Sequence, residues 1–313
     1  MKTYPLKFKP IGKELIWGGH KLKNMLDKNF PADKKIGESW ELVDLTNDKS
    51  EIINGELAGK TISEAMQKYP QQILGKQYTP PFGLLIKFID AADVLSVQVH
   101  PDTETVKKLK TGSLKTECWY IIDAEPDACI YKGLKPGTTR QQFEKSIKDG
   151  SCANLLNKVA VKPGECHFLP AGTVHAIGAG LLIAEIQTPS DTTYRVFDWN
   201  RLQNGKPRQL HIEQALESIH FRQNPDELTV ASSGRLVDCK YFKVDKIIAK
   251  SKTASKIAGG ILKVIMIIKG NGQMTSADSQ PVDFAKGETI LLPAEFSGEI
   301  RFDSDTEYLL TVI

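Results

Sequence analysis

Gly164-Glu-Cys-His-Phe-Leu-Pro170-Ala-Gly172-Thr-Val-His175 reads as a strand, a tight turn and a histidine delivered at the start of the next strand. Upstream, Gln98-Val-His100-Pro101 closes an alternating apolar run, and Lys115-Thr-Glu117 follows shortly after. Together these stretches offer two imidazoles, a carboxylate and an amide oxygen, a set that suits one divalent metal with room left for a substrate. Alternate residues of a strand share a face, so Ser96, Gln98 and His100 point one way while Val97 and Val99 point the other. The same rule groups Lys115, Glu117 and Trp119. With those two strands side by side, Gln98, His100 and Glu117 meet inside a barrel, and His175 enters from an adjacent strand. Two neutral imidazoles and a carboxylate are a common catalytic zinc set, to which Gln98 adds a carbonyl oxygen.

The opening stretch has a weaker twin. Val161-Lys-Pro-Gly164-Glu165 through Pro170-Ala171 aligns with Phe284-Ala-Lys-Gly287-Glu288 through Pro293-Ala294, about 120 residues downstream, which predicts a duplicated β-barrel. The second copy has Glu295 and Gly298 where the first has Gly172 and His175, and no histidine follows residue 220. It keeps the fold and lacks the ligands. A boundary is expected near Gln223–Gly234, dividing a catalytic unit, 1–230, from a degenerate one, 231–313.

Most of the remaining chain reads as short strands, at 38–45, 83–89, 94–100, 117–123, 128–132, 165–169, 181–188 and 194–198. Helical pattern is confined to 62–69, 103–109, 139–149 and 212–218, with Thr138-Thr139 as an N-cap; two of these helices flank the 115–132 strands as a small insertion.

The 313 residues, 41% hydrophobic and 25% charged with a net charge of +3, describe an ordinary globular chain with no nucleic-acid or membrane surface. Five cysteines without a C-x-x-C pair read as reduced thiols. The first residues have no apolar leader, so a cytoplasmic protein is expected.

Arg195 lies in Glu185-Ile-Gln187 to Tyr194-Arg195-Val-Phe197-Asp198, where it either projects toward the metal or pairs with Asp198 or Asp191. Lys87, a charge inside the apolar run Leu84 to Ile89, either pairs with an acid or faces an anionic ligand. His20, His167, His211 and His220 read singly as packing or surface residues.

Trp17-Gly-Gly, Gly37-Glu-Ser-Trp40, Leu95-Ser-Val-Gln98-Val-His100-Pro101, Lys115-Thr-Glu117, Pro170-Ala-Gly-Thr-Val-His175 and Glu185…Tyr194-Arg195, in this order, resemble the type I phosphomannose isomerases of the cupin superfamily in their short bacterial form. The resemblance covers nearly the whole chain. It implies a mainly β fold of two cupin-type jelly-roll barrels with a small helical insertion. It also implies interconversion of mannose 6-phosphate and fructose 6-phosphate through a cis-enediol, with one Zn2+ per chain on Gln98, His100, Glu117 and His175. Arg195 matches the catalytic arginine, while Lys87, Lys115, Glu185 and Asp191 match residues lining the substrate pocket. Lys115, two residues before a ligand, is expected to have its pKa depressed by the metal toward that of a usable base, with Arg195 as its electrostatic partner. Lys87, Lys115 and Arg195 compete for the role of phosphate cradle. The expected partner is a small phosphosugar, and the expected state a monomer or weak homodimer. An iron cupin is disfavoured because Gln98 stands where such proteins place a first histidine.

Overall fold

The computed structural model describes residues 2–76, 80–203, 205–222, 230–277 and 279–313. Apart from a two-stranded ribbon of Leu202–Gln203 and Lys206–Pro207, their strands form two sheet pairs. In the first pair, a seven-stranded sheet runs in the order Val230–Ala231, Cys166–Leu169, Glu117–Ala124, Leu181–Gln187, Leu85–Ala91, Ile36–Leu42, Ile11–Gly19. It faces a five-stranded sheet ordered Tyr194–Phe197, Val97–Val99, His175–Ile177, Cys129–Leu134, Leu156–Ala160. In the second pair, a six-stranded sheet of Leu6–Lys7, Thr289–Leu292, Lys263–Lys269, Thr306–Val312, Lys243–Ala249 and Gly234–Asp238 accompanies a four-stranded one. All named pairings are antiparallel, as expected of jelly-roll barrels.

Strict alternation positions the site. In the central strands of the seven-stranded sheet, Ile86, Phe88, Cys118, Tyr120, Leu182, Ala184 and Ile186 point outward into one apolar cluster shared with Val244, Met266, Leu291 and Leu309 of the second barrel. The intervening residues line the first barrel, where Ile89, Trp119, Ile121 and Ile183 pack together. These strands are buried on both faces, so their charged members, Lys87, Glu117 and Glu185, lie inside the protein.

The expected repeat is present down to its hydrogen bonds. Gly164 N–H donates to Ile121 and Gly287 N–H to Ile267, each at 2.8 Å. The carboxylate of Glu165 accepts from Lys162 N–H and that of Glu288 from Ala285 N–H, each at 2.9 Å. Both glycines have positive φ. The two G-E units are therefore one turn used twice.

One expectation needs correction. The strands carrying Gln98 and Glu117 are not side by side; they belong to facing sheets, so their side chains meet across the barrel interior. The expected helices lie on the outside of the first sheet pair. Phe143 and Ile147 of Arg140–Lys148 and Ala215 and Leu216 of Ile212–Ser218 cover the outer face of the five-stranded sheet, on Val97, Val99, Val174 and Val196. Leu6–Lys7, at the start of the chain, pairs with Thr289–Leu292 and so joins the second barrel. Helix Lys21–Leu26 has no counterpart in the sequence reading. Of the expected linker, residues 223–229 lie outside the described residues. No helix among those described is long and apolar enough to cross a membrane.

Candidate active site and metal centre

All four expected ligands stand on strands or directly at a strand end. His175 opens its strand directly opposite Gln98, and Arg195 faces Gln98 from the other side. His175, Gln98 and Arg195 therefore form one row across the inner face of the five-stranded sheet. Across the interior, Glu117 opens its strand in the seven-stranded sheet, and His100 follows the end of Val97–Val99.

The turn before His175 depends on glycine. Gly172 has φ of 89°, and a Cβ there would lie 2.5 Å from the His220 ring. Its N–H donates to the His100 carbonyl at 2.9 Å, tying the two histidine-bearing segments together.

His100, Glu117 and His175 offer donor atoms that all lie within 4.8 Å of one another, and all three are buried. His100 Nδ1 is 2.9 Å from the Thr192 carbonyl, and His175 Nδ1 is 2.8 Å from that of Thr173. A carbonyl only accepts, so each Nδ1 carries the proton and each Nε2 presents a lone pair. Both Nε2 atoms lie 3.4 Å from a Glu117 oxygen. Burial, then Lys115, lowers His100 to about 3, and burial lowers His175 as well. Glu117 is held well below the usual carboxylate range: burial opposes ionisation, but the charge of Lys115 outweighs it. Two neutral imidazoles and an ionised carboxylate thus aim electron pairs at one point, and neither Glu117 oxygen nor His100 Nε2 has a hydrogen-bond partner. A bound cation satisfies all of them, and the donor set fits zinc. Gln98 stands at the edge, its amide 3.4 Å from His175 Nε2 and 3.3 Å from Ser96 Oγ. With its amide oxygen turned toward His175, it would add an oxygen donor to the set.

Through Gln98 beside His175 and Lys115 beside Glu117, the cluster adjoins a cavity of about 390 Å³ lined by Gln98, Lys115, Lys87, Glu185, Asp191 and Arg195, together with Lys13, Trp17, Glu38, Trp40, Ser96 and Arg208. The size suits a sugar-sized ligand. On the seven-stranded side, the Trp119 indole donates to Glu185 at 2.9 Å, and Lys87 bridges Glu185 and Glu38 at 3.1 and 3.3 Å. The Trp40 indole closes the chain on Glu38 at 2.6 Å. Burial opposes the charge on Lys87, but Glu185 and Glu38 override it and raise its pKa. Burial pushes Glu185 up. Lys115 Nζ lies 3.0 Å from Glu117. Arg195 makes no ion pair with Asp198 or Asp191 among the described residues; Asp198 instead holds Arg201 and Arg208.

The catalytic-domain model of type I phosphomannose isomerase matches residues 6–129. The mannose-6-phosphate isomerase ManA of Bacillus subtilis (strain 168) is 38% identical over 320 residues, spanning 99% of each chain. The chain belongs to the type I phosphomannose isomerase family. The crystal structure of the mannose 6-phosphate isomerase from Bacillus subtilis superimposes with a TM-score of 0.89 at 28% identity, covering 100% of both chains. A zinc-bound mannose 6-phosphate isomerase shares the fold, with a TM-score of 0.78 at 14% identity over 98% of this chain and 99% of that one.

In this isomerase-family chain, Lys87, Gln98, Lys115, Glu185, Asp191 and Arg195 line the cavity, while His100, Glu117 and His175 form the buried cluster beside it. Lys87 is paired to two carboxylates, the first of the alternatives left open for it. Sequence reading assigned no role to Glu38, Trp40, Lys13, Ser96 or Arg208. Glu38 and Trp40 were within reach, since they alternate on one strand and lie in the Gly37-Glu-Ser-Trp40 motif. Arg208 carries no local signal at all. His167, read as a packing or surface histidine, is buried with neither ring nitrogen hydrogen-bonded and Nε2 3.6 Å from a Glu165 oxygen, and burial, then Lys132, lowers it to about 4.

Proposed function

We propose that the protein interconverts mannose 6-phosphate and fructose 6-phosphate through a cis-enediol, using one zinc ion on Gln98, His100, Glu117 and His175. The observation that carries this reading is the convergence of lone pairs from His100, His175 and Glu117 on one point, next to a polar cavity lined by Gln98, Lys115 and Arg195. When bound, zinc supplies a Lewis acid for the sugar oxygens.

The isomerisation removes the C2 proton of the aldose, returns a proton to C1, and passes a hydroxyl proton between O2 and O1. Lys115 is the proposed carrier of the carbon-bound proton, because it alone among the cavity lysines sits beside the ligand cluster. Arg195, in the same row as Gln98 and His175, offers a fixed cation to the enediolate oxygen, a contribution of roughly 10²–10³ in rate. Glu185, Glu38 and Asp191 accept hydrogen bonds from sugar hydroxyls, while Lys87 holds the first two in place. A cytoplasmic monomer or weak homodimer acting on a small phosphosugar completes the proposal; five unpaired thiols support a reducing compartment.

The test is a coupled assay of fructose 6-phosphate formed from mannose 6-phosphate, before chelation, after it, and after zinc is restored. Turnover that vanishes and returns supports the reading. Absence of any chelator-sensitive turnover overturns it.

A further inference from the structure

The cations of the cavity differ in how completely they are matched. Lys87 faces Glu38 and Glu185, Lys115 faces Glu117, and Lys13 faces Asp48 at 2.7 Å. Arg195 has no carboxylate partner among the described residues. Its Nη1 donates to the Gln209 carbonyl at 2.8 Å, and its Nε is buried without a partner. Arg208 directs Nε and Nη2 to the two oxygens of Asp198 at 2.7 and 2.5 Å. Arg201 takes the same carboxylate at 2.7 Å and also reaches Asp93 at 3.2 Å, so Arg195, Arg201 and Arg208 have two carboxylates among them. Nη1 of Arg208 has no hydrogen-bond partner among the described residues, and Arg208 lines the cavity beside Arg195. The Gln209 contact fixes Arg195 to the very segment that carries Arg208.

The opposite wall carries Glu38 and Glu185, with Asp191 also facing the cavity. The cavity is therefore bipolar, with hydroxyl acceptors on one side and surplus guanidinium charge on the other. Burial, then the charge of Arg208, depresses Arg195, a repulsion that an anion between the two would relieve.

We propose that Arg208 is a specificity-determining residue of this site: with Arg195 it forms a two-guanidinium clamp for the phosphate of the sugar, its fork held in place by Asp198. The inference rests on the isomerase reading above. Guanidinium groups bind phosphate through planar paired donors, and a fork already anchored to a carboxylate loses little freedom on binding. The clamp relieves Lys87 and Lys115 of the phosphate and leaves Lys115 for proton transfer.

The experiment measures Arg208→Gln and Arg208→Lys for mannose 6-phosphate kinetics, zinc content and thermal melting. Inorganic phosphate serves as a competitive inhibitor and as a calorimetric ligand. Arg208→Gln should raise KM and weaken inorganic phosphate by the same factor, about 10–100-fold, as expected for one charged hydrogen-bonding partner. Its kcat should stay within about threefold and its zinc content should match the parent. Asp198 keeps Arg201, so the fold retains that ion pair; should the glutamine variant still unfold, Arg208→Lys preserves the charge and should show the same paired rise at smaller size. Parent-like phosphate affinity in either folded variant overturns the clamp, as does a loss of kcat with KM unchanged. Phosphate calorimetry reads the clamp even if the parent shows no turnover, so failure of the isomerase reading and failure of this one are separately visible.

Discussion

His175 and Arg195 sit in one cross-strand row with Gln98, yet their substitutions should separate cleanly. His175→Ala removes one of the converging lone pairs and is expected to lose both bound zinc and turnover. Arg195→Ala should keep its zinc and lower kcat roughly 10²–10³-fold, measured by metal analysis beside the coupled assay. Near-normal activity in Arg195→Ala would sink the role given to it. His167 makes a different prediction. Its folded-state pKa of about 4 lies below the ordinary 6.5, so the unfolded chain takes up a proton first as pH falls. Stability from this residue is full above about 6.5 and declines between 6.5 and 4, by up to about 3 kcal/mol. Melting curves of the parent and of His167→Gln across pH 7 to 4 should show a steeper acid decline in the parent; parallel curves would refute it.

At the scale of elements, the decisive piece is the turn from Pro170 to His175. Gly172→Ala places a Cβ against the His220 ring in a backbone region that side chains rarely adopt. The cost expected is about 1–3 kcal/mol, with reduced zinc content because Gly172 N–H anchors His100. A variant with unchanged melting temperature and zinc would contradict that link. Local signals made several other elements legible. Thr139 forms a capping box with Gln142, as the Thr138-Thr139 step announced, and Thr103–Leu109 and Ile212–Ser218 match their predicted bounds. Helix Lys21–Leu26 was missed because its N-cap comes from elsewhere: Lys21 N–H donates to Asp90, distant in the chain, and His20 makes no side-chain cap.

The two barrels share one apolar cluster, so the division at 230 that we propose from the repeat is one of topology rather than of independent stability. A chain ending at 230 would expose Ile86, Phe88, Leu182 and Ile186, each worth about 1.5–3 kcal/mol when buried. It is expected to be insoluble or to lack a cooperative melt, and a soluble, cooperatively folding 1–230 fragment would prove this wrong. By itself, the sequence determined the period-two strands, the glycine- and proline-set turns, the duplicated G-E unit and the identities of the donors, because each of these is fixed within a few residues along the chain. Only the tertiary structure decided that Glu117 reaches His100 and His175 across facing sheets, that Lys87 is matched by Glu38 and Glu185, and that Arg208 joins Arg195 at the cavity wall. Those relations depend on how separate strands are brought together, and no local pattern encodes the charge left over once every nearby pair has formed.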